Sequence, residues 1–310
     1  MKEFKILSTD EEEKLNKKEL KKYYFNLRNY YSNINKNNIK EENIHNLFNK
    51  LATKIRSYPI IKIYDEEENS IDRPVIFACN HSNSHDYYTV QELFTNMINV
   101  LVASDSISPL TQTLFKASGS ILINRDDKIS CAEGINELVK KIVNGNDILI
   151  FPESTWNIHP SKIMLPLKKG IIEVAAKSGA PIIPIIFEYV ENNNLCSKEK
   201  EIYDACIIEF GSPIYVSLDD NYLEKLSELR NSMATLRWDI WSLLGGYKRK
   251  DLSEEIYFNH TELKCNTALF KYDHIKEEKY IYGSNDYIYK DYPINRITPP
   301  SKSLTKSKNK

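Results

Sequence analysis

The sequence has no uninterrupted apolar run close to the ~20 residues that a helix needs to span a bilayer. Its first residues, MKEFKILSTDEEEKLNKK, also lack the apolar stretch of a secretory signal peptide. We therefore expect a protein on the cytoplasmic side, and peripheral contact with the inner face of the cell membrane stays open.

Cysteine is scarce, and neither sign of charge is in excess. The five cysteines, at positions 79, 131, 196, 206 and 265, form no CxxC or CxxH pair, which fits reduced thiols in a cytosol better than a disulfide framework. The 42 basic residues are balanced by 43 acidic ones, so bulk charge does not favour a nucleic-acid partner. Any anion-binding site must therefore be local.

Short apolar runs alternate with helical stretches from about residue 59 onward. The runs are 74–79, 100–103, 120–123, 147–151, 181–187 and 205–210, and the candidate helices between them are 87–97, 109–117, 129–143 and 171–178. This alternation predicts an α/β fold with a mostly parallel central sheet flanked by helices. In such sheets, functional groups gather in the loops at the carboxyl ends of the strands.

Composition divides the chain into four parts. Residues 1–58 are predicted to form an N-terminal amphipathic helical element, 59–217 the α/β domain, 218–298 a C-terminal helical and irregular extension, and 299–310 a disordered basic tail. The N-terminal element has two apolar stripes at helical spacing, which either pack on the α/β body or lie on a membrane surface. Lys50, Lys54 and Arg56 flank the second stripe and would favour the membrane interpretation.

The polar segment NHSNSHD, residues 80–86, follows the first of the longer apolar runs. If His81 lies in the turn and Asp86 at the start of the next helix, the carboxylate can reach the imidazole, fix its tautomer and raise its basicity. A polar turn with a helix-capping Asp86 is the purely structural interpretation. A metal site built from His81, His85, Asp86 and His159 is a third possibility, but the spacing lacks the glutamate of an HExxH helix.

Four ordered blocks resemble the glycerolipid acyltransferases, the 1-acylglycerol-3-phosphate acyltransferase family with its NHxxxxD motif. The matching residues are Asn80, His81 and Asp86 in the first block; Gly119, Ile121, Ile123 and Arg125 in the second; Phe151, Pro152, Glu153 and Thr155 in the third; and Pro181 and Pro184 in the fourth. Lys168, Lys169 and Gly170 also fit the pattern. The resemblance covers about residues 74 to 190.

The resemblance implies an acyltransferase that uses an acyl thioester, on coenzyme A or acyl carrier protein, and needs no metal or other cofactor. His81 would act as general base and Asp86 would orient it, while a lysophospholipid such as 1-acylglycerol-3-phosphate would supply the hydroxyl. Arg125 would bind the acceptor's phosphate, unless Asp126 or Asp127 pairs with it. The other residues expected to contact substrate are Asn80, Glu153, Ser154, Thr155, Trp156 and Lys168.

The third block departs from the family pattern FPEGTRS. Ser154 replaces a glycine, Trp156 an arginine and Asn157 a serine. The lost arginine removes a cation from the expected phosphate site, so a non-glycerolipid hydroxyl acceptor is a second hypothesis. A catalytically silent lipid-binding protein of the same fold and a thioester hydrolase also stay open.

Overall fold

The computed structural model describes residues 4–5, 7–32, 43–44, 46–47, 50, 60–63, 74–82, 86–94, 98–157, 163–191, 203–243 and 304–306. Its strands are β1 (Ile60–Ile63), β2 (Ile76–Cys79), β3 (Ile98–Ala103), β4 (Ile121–Ile123), β5 (Asp147–Ile150), β6 (Ile182–Glu191), β7 (Tyr203–Phe210) and β8 (Leu304–Lys306). Its α-helices are α1 (Thr9–Glu13), α2 (Lys17–Ser32), α3 (Asp86–Leu93), α4 (Pro109–Ala117), α5 (Lys128–Val143), α6 (Gly170–Ser178) and α7 (Tyr222–Leu243).

The strands form one sheet in the order β4-β3-β5-β2-β6-β7-β1-β8. The five strands from β4 to β6 are all parallel to one another, β7 runs antiparallel to β6, and β1 runs parallel to β7. These pairings confirm the predicted α/β fold with a mostly parallel central sheet.

Both faces of the sheet are buried, which explains why the central strand β2 is apolar along its whole length and its neighbours are largely apolar. Phe77 pairs with Leu149 and Ile183 in register and packs in one core, whereas Ile76 pairs with Ile148 and faces the other core. Alternate side chains of each strand therefore enter opposite layers.

Helix α2, which carries the first of the two apolar stripes predicted in the N-terminal element, packs its apolar face on the α/β domain. Tyr24 and Leu27 of α2 are buried in the same core as α5 and α6. Arg28 donates hydrogen bonds to the carbonyl oxygens of Ala176 and Lys177, at the end of α6. The apolar face of α2 is thus part of the core, while most of the second predicted helix lies outside the described residues.

Helix α7 belongs to the predicted C-terminal extension, and it packs against β6 and β7. Met233 and Ala234 are fully buried there. Residues 304–306 pair antiparallel with β1, and the rest of the predicted tail lies outside the described residues. Strand β1 would otherwise leave its outer row of backbone groups without a strand partner.

Within the described ranges, no helix is long and apolar enough to cross a membrane.

Candidate active site

Four loops of the described structure meet at one edge of the sheet. Strands β4, β3, β5 and β2 are adjacent and parallel, so the segments after their carboxyl ends lie side by side. The loop after β2 carries His81, the 3-10 turn after β3 carries Asp105, the loop after β4 carries Arg125, and the turn after β5 is formed by residues 151–157. Three of the four blocks that were recognised in the sequence therefore converge.

His81 and Asp86 form the dyad that the spacing predicts. Nδ1 of His81 lies 2.7 Å from Oδ2 of Asp86, and the histidine side chain is 22% exposed while the carboxylate is completely buried. Oδ2 also accepts the backbone N–H of Ser82 at 2.5 Å. Because Asp86 opens α3, the positive end of the helix dipole also favours its negative charge.

Two aromatic side chains of the turn after β5 contact the His81 ring. The ring of Phe151 stacks on the imidazole, with centroids 4.2 Å apart and planes at 18°. Trp156 meets the imidazole edge-on at 88° and donates its indole N–H to Nε2 of His81 at 3.0 Å. An indole nitrogen is only a donor, so Nε2 must present its lone pair and the ring proton must reside on Nδ1, facing Asp86. This is the tautomer that a general base needs.

Glu153 is completely buried behind His81 and does not face solvent. Its Oε1 accepts the backbone N–H of His81 at 3.3 Å, and its Oε2 accepts the backbone N–H of Leu165 at 2.7 Å. Burial raises the pKa of Glu153 to about 7, opposed by the charge of Arg237 and by these hydrogen bonds. The structure therefore shows Glu153 holding two backbone segments of the site, whereas the resemblance implied contact with the acceptor.

Asn80 is also fully buried, and its amide is engaged by the neighbouring strand. Its Oδ1 accepts the N–H of Phe187 at 2.8 Å, and its Nδ2 donates to the carbonyl oxygen of Phe187 at 2.9 Å. A third bond runs from Nδ2 to the hydroxyl of Ser82 at 3.3 Å. These contacts tie the loop that carries His81 to β6.

Arg125 points toward the turn after β5 but is paired with a carboxylate that the sequence did not single out. Its Nε donates to Oδ1 of Asp105 at 3.1 Å and its Nη2 to Oδ2 at 2.5 Å, a two-pronged ion pair. Its Nη1 donates to the carbonyl oxygen of Ser154 at 3.1 Å. Asp127, one of the two surface partners considered for Arg125, caps α5 by accepting the N–H of Ile129.

The turn of residues 151–157 is held at both ends. The N–H of Asn157 donates to the carbonyl oxygen of His81 at 2.6 Å, and the N–H of Lys168 donates to the carbonyl oxygen of Pro152 at 2.8 Å. Ser154 has a φ of 63°, in the left-handed region where a glycine is comfortable. The family glycine at this position therefore has a conformational reason. Thr155 is buried beneath the turn, and Lys168 is partly exposed beside it.

The described residues contain no cluster of three histidine, cysteine, aspartate or glutamate side chains that could hold a metal ion. His85 and His159, which entered the metal hypothesis, lie outside the described residues.

Three further residues near the site were missed by sequence reasoning. Asp105 follows β3, so its place after a strand could have identified it. Arg237 of α7 and Glu188 of β6 form an almost fully buried ion pair, with Nε and Oε2 2.9 Å apart, and Arg237 also donates to the carbonyl oxygen of Ile163. No local pattern marks these two, because they are far apart in the chain.

Comparison with known proteins finds similarity over the segment that carries the candidate site. Residues 60–188 match the family model described as Acyltransferase. The chloroplastic 1-acyl-sn-glycerol-3-phosphate acyltransferase of Brassica napus is 30% identical over 147 residues, which are 46% of this chain and 41% of that protein. The 1-acyl-sn-glycerol-3-phosphate acyltransferase of Saccharomyces cerevisiae is 29% identical over 125 residues, which are 39% of this chain and 40% of that protein.

A solved structure, that of the 1-acyl-sn-glycerophosphate acyltransferase from Thermotoga maritima, aligns with a TM-score of 0.49 at 15% identity and covers 73% of this chain and 90% of that one. The matched stretch spans 41% of the Brassica napus relative and 40% of the yeast relative. The family match falls on the segment that carries His81, Asp86, Arg125 and Glu153. Residues 60–188 of this chain are therefore similar to the acyltransferase family.

Proposed function

We propose that this protein transfers a fatty acyl group from an acyl thioester, on coenzyme A or acyl carrier protein, to a hydroxyl of a lysophospholipid such as 1-acylglycerol-3-phosphate. The observation that carries the proposal is the His81–Asp86 pair, 2.7 Å apart, whose Nε2 accepts the indole N–H of Trp156 at the edge where four loops meet. The named relatives, which are 1-acyl-sn-glycerol-3-phosphate acyltransferases, support the choice of acceptor.

In this reaction Nε2 of His81 takes the proton of the acceptor hydroxyl while that oxygen attacks the thioester carbonyl. Asp86 holds the imidazole by Nδ1 and stabilises the imidazolium that forms. The tetrahedral intermediate then collapses, the thiolate leaves, and it takes up the proton from His81. General-base assistance of this kind contributes about 10²–10⁴-fold to the rate.

Arg125 is the cation that we assign to the acceptor's phosphate, since a guanidinium matches phosphate oxygens well. The ion pair between Arg125 and Asp105 weakens the attraction of Arg125 for a phosphate, because the aspartate offsets the positive charge of the guanidinium. Trp156 adds no charge at the position where the family has arginine. These two observations favour a second candidate, the same transfer to a hydroxyl acceptor without a phosphate.

One assay separates the candidates. The purified full chain is given an acyl-coenzyme A thioester and either 1-acylglycerol-3-phosphate or the matching 1-acylglycerol, and the acylated products are resolved by chromatography. Acylation of the phosphate-bearing acceptor alone supports the first candidate, and acylation of the neutral one alone supports the second.

His81→Ala should abolish either product, while Leu110→Ala, at a site that is 74% exposed, serves as the surface control. If wild type turns over neither acceptor with coenzyme A or carrier-protein thioesters, the proposal fails and a silent lipid-binding role is favoured. A location on the cytoplasmic side stays a prediction, and contact with a membrane surface stays open.

A further inference from the structure

We infer that Trp156 is a specificity-determining residue, whose indole N–H covers the general base until an acceptor hydroxyl replaces it, so that water rarely receives the acyl group. The inference rests on the proposed acyl transfer and adds to it a role for the residue that replaces the family arginine.

The hydrogen bond from Nε1 of Trp156 to Nε2 of His81 is 3.0 Å long. An imidazole nitrogen of this kind has one lone pair and accepts one good hydrogen bond at a time. A hydroxyl that is to be deprotonated must lie about 2.6–3.2 Å from the same nitrogen. Acceptor and indole therefore compete for a single position, and the site is closed in the arrangement observed.

The remaining surroundings of His81 make Trp156 the part that must move. Asp86 holds Nδ1, and the stacked ring of Phe151 covers one face of the imidazole. The backbone around Trp156 is fixed, because the N–H of Asn157 bonds to the carbonyl oxygen of His81 and the carbonyl oxygen of Ser154 accepts from Arg125. Opening is therefore a rotation of the indole side chain, with the backbone of the turn in place.

Water is the competitor that such a cover excludes. If water occupied the acceptor position, His81 would take its proton, the water oxygen would bond to the thioester carbon, and the thiolate would leave and recover the proton. The products would be a free fatty acid and a free thiol, and the activated acyl group would be wasted. Trp156 is only 4% exposed, so little water reaches the indole that covers Nε2 of His81. An acceptor lipid contacts the site over a larger area than water, and that binding can compensate for the lost indole bond.

Trp156→Phe tests the inference, because it keeps an aromatic ring and removes the donor. We expect thiol release from acyl-coenzyme A without acceptor to rise about three- to tenfold, the factor that one neutral hydrogen bond contributes. With 1-acylglycerol-3-phosphate or 1-acylglycerol present, the ratio of free fatty acid to acylated product should rise as well. Trp238→Phe is the matched control, since Trp238 is 51% exposed on α7.

The outcomes separate this inference from the function on which it rests. If wild type acylates an acceptor and Trp156→Phe releases no more fatty acid than wild type, the proposed role of Trp156 is refuted. The proposed acyl transfer is then still supported. If wild type neither acylates an acceptor nor releases thiol, both proposals fail together.

A measurement on wild type covers the case in which the variant does not fold. The acceptor that wild type acylates, added alone, should shift the indole N–H resonance of Trp156, which is identified by its proximity to the imidazole of His81. Binding of that acceptor without any change in this resonance would contradict a displaced indole.

Discussion

Glu153 holds the backbone of His81 in place from inside the protein. One carboxylate oxygen accepts the N–H of His81 at 3.3 Å, and the other accepts the N–H of Leu165 at 2.7 Å. A single buried side chain thus connects the loop that carries the proposed base with the segment that precedes α6. Because the carboxyl is removed from water, its pKa is raised to about 7.

The raised pKa of Glu153 predicts how stability depends on pH. Between pH 4.5, the ordinary pKa of a glutamate, and about 7, the folded protein keeps a proton that the unfolded chain has released. The contribution of Glu153 to the free energy of unfolding is therefore fully present below pH 4.5. It is lost as the pH rises to about 7 and does not change above that. Its size is at most about 3 kcal/mol.

Glu153→Gln should remove this part of the slope in urea unfolding between pH 5 and 8. Glu133→Gln, on the exposed side of α5, should leave the slope unchanged. A Glu153→Gln protein with the wild-type slope would show that Glu153 does not titrate in this range.

Asp86→Asn tests the orientation of the proposed base. The carboxylate accepts from both Nδ1 of His81 and the N–H of Ser82, and it stabilises the imidazolium that forms during transfer. An amide cannot supply that charge, so we expect kcat to fall about 10²–10⁴-fold, with a smaller change in KM. The measurement is thiol release in the presence of the acceptor, with the exposed Asp126→Asn as control. A kcat within a few-fold of wild type would remove Asp86 from the mechanism.

Ser154→Gly should stabilise the fold. A non-glycine residue at a φ of 63° costs about 1–2 kcal/mol, and glycine avoids that cost while losing about 0.5–1 kcal/mol through the greater freedom of the unfolded chain. The net gain in the free energy of unfolding should be about 0.5–1 kcal/mol. Ser154→Ala is the matched control, since alanine keeps the strain. Equal stability of the two variants would show that the turn is not strained at this residue.

Gly134→Ala should destabilise the protein, although alanine usually stabilises a helix relative to glycine. A Cβ at Gly134 of α5 would lie 2.3 Å from Cγ2 of Ile123 on β4, closer than two carbon atoms tolerate. We expect a loss of about 1–3 kcal/mol in urea unfolding. Ile123→Ala removes the clashing methyl group, so the double variant should be more stable than the sum of the two single changes predicts. Strict additivity would argue against this close contact.

Local sequence is sufficient to predict much of the fold and part of the candidate site. The alternation of apolar runs and helical stretches predicted the mostly parallel sheet, because parallel strands buried on both faces must be apolar throughout. The contact of His81 with Asp86 was predictable as well, since five positions separate them across one strand-to-helix turn. The loops after β2 and β5 were expected at the carboxyl ends of their strands, and parallel strands direct those ends to one edge.

The partners of the site residues depend instead on strand order and register, which bring distant segments of the chain together. Asp105 reaches Arg125 because β3 and β4 are neighbours, and Trp156 reaches His81 because β5 lies beside β2. Glu153 is buried, since the turn after β5 directs its carboxylate toward the backbone of the neighbouring loop, and its contact with an acceptor stays a prediction. A motif specifies which side chains are present, whereas the geometry of the folded sheet decides whether each one faces a substrate or supports another residue.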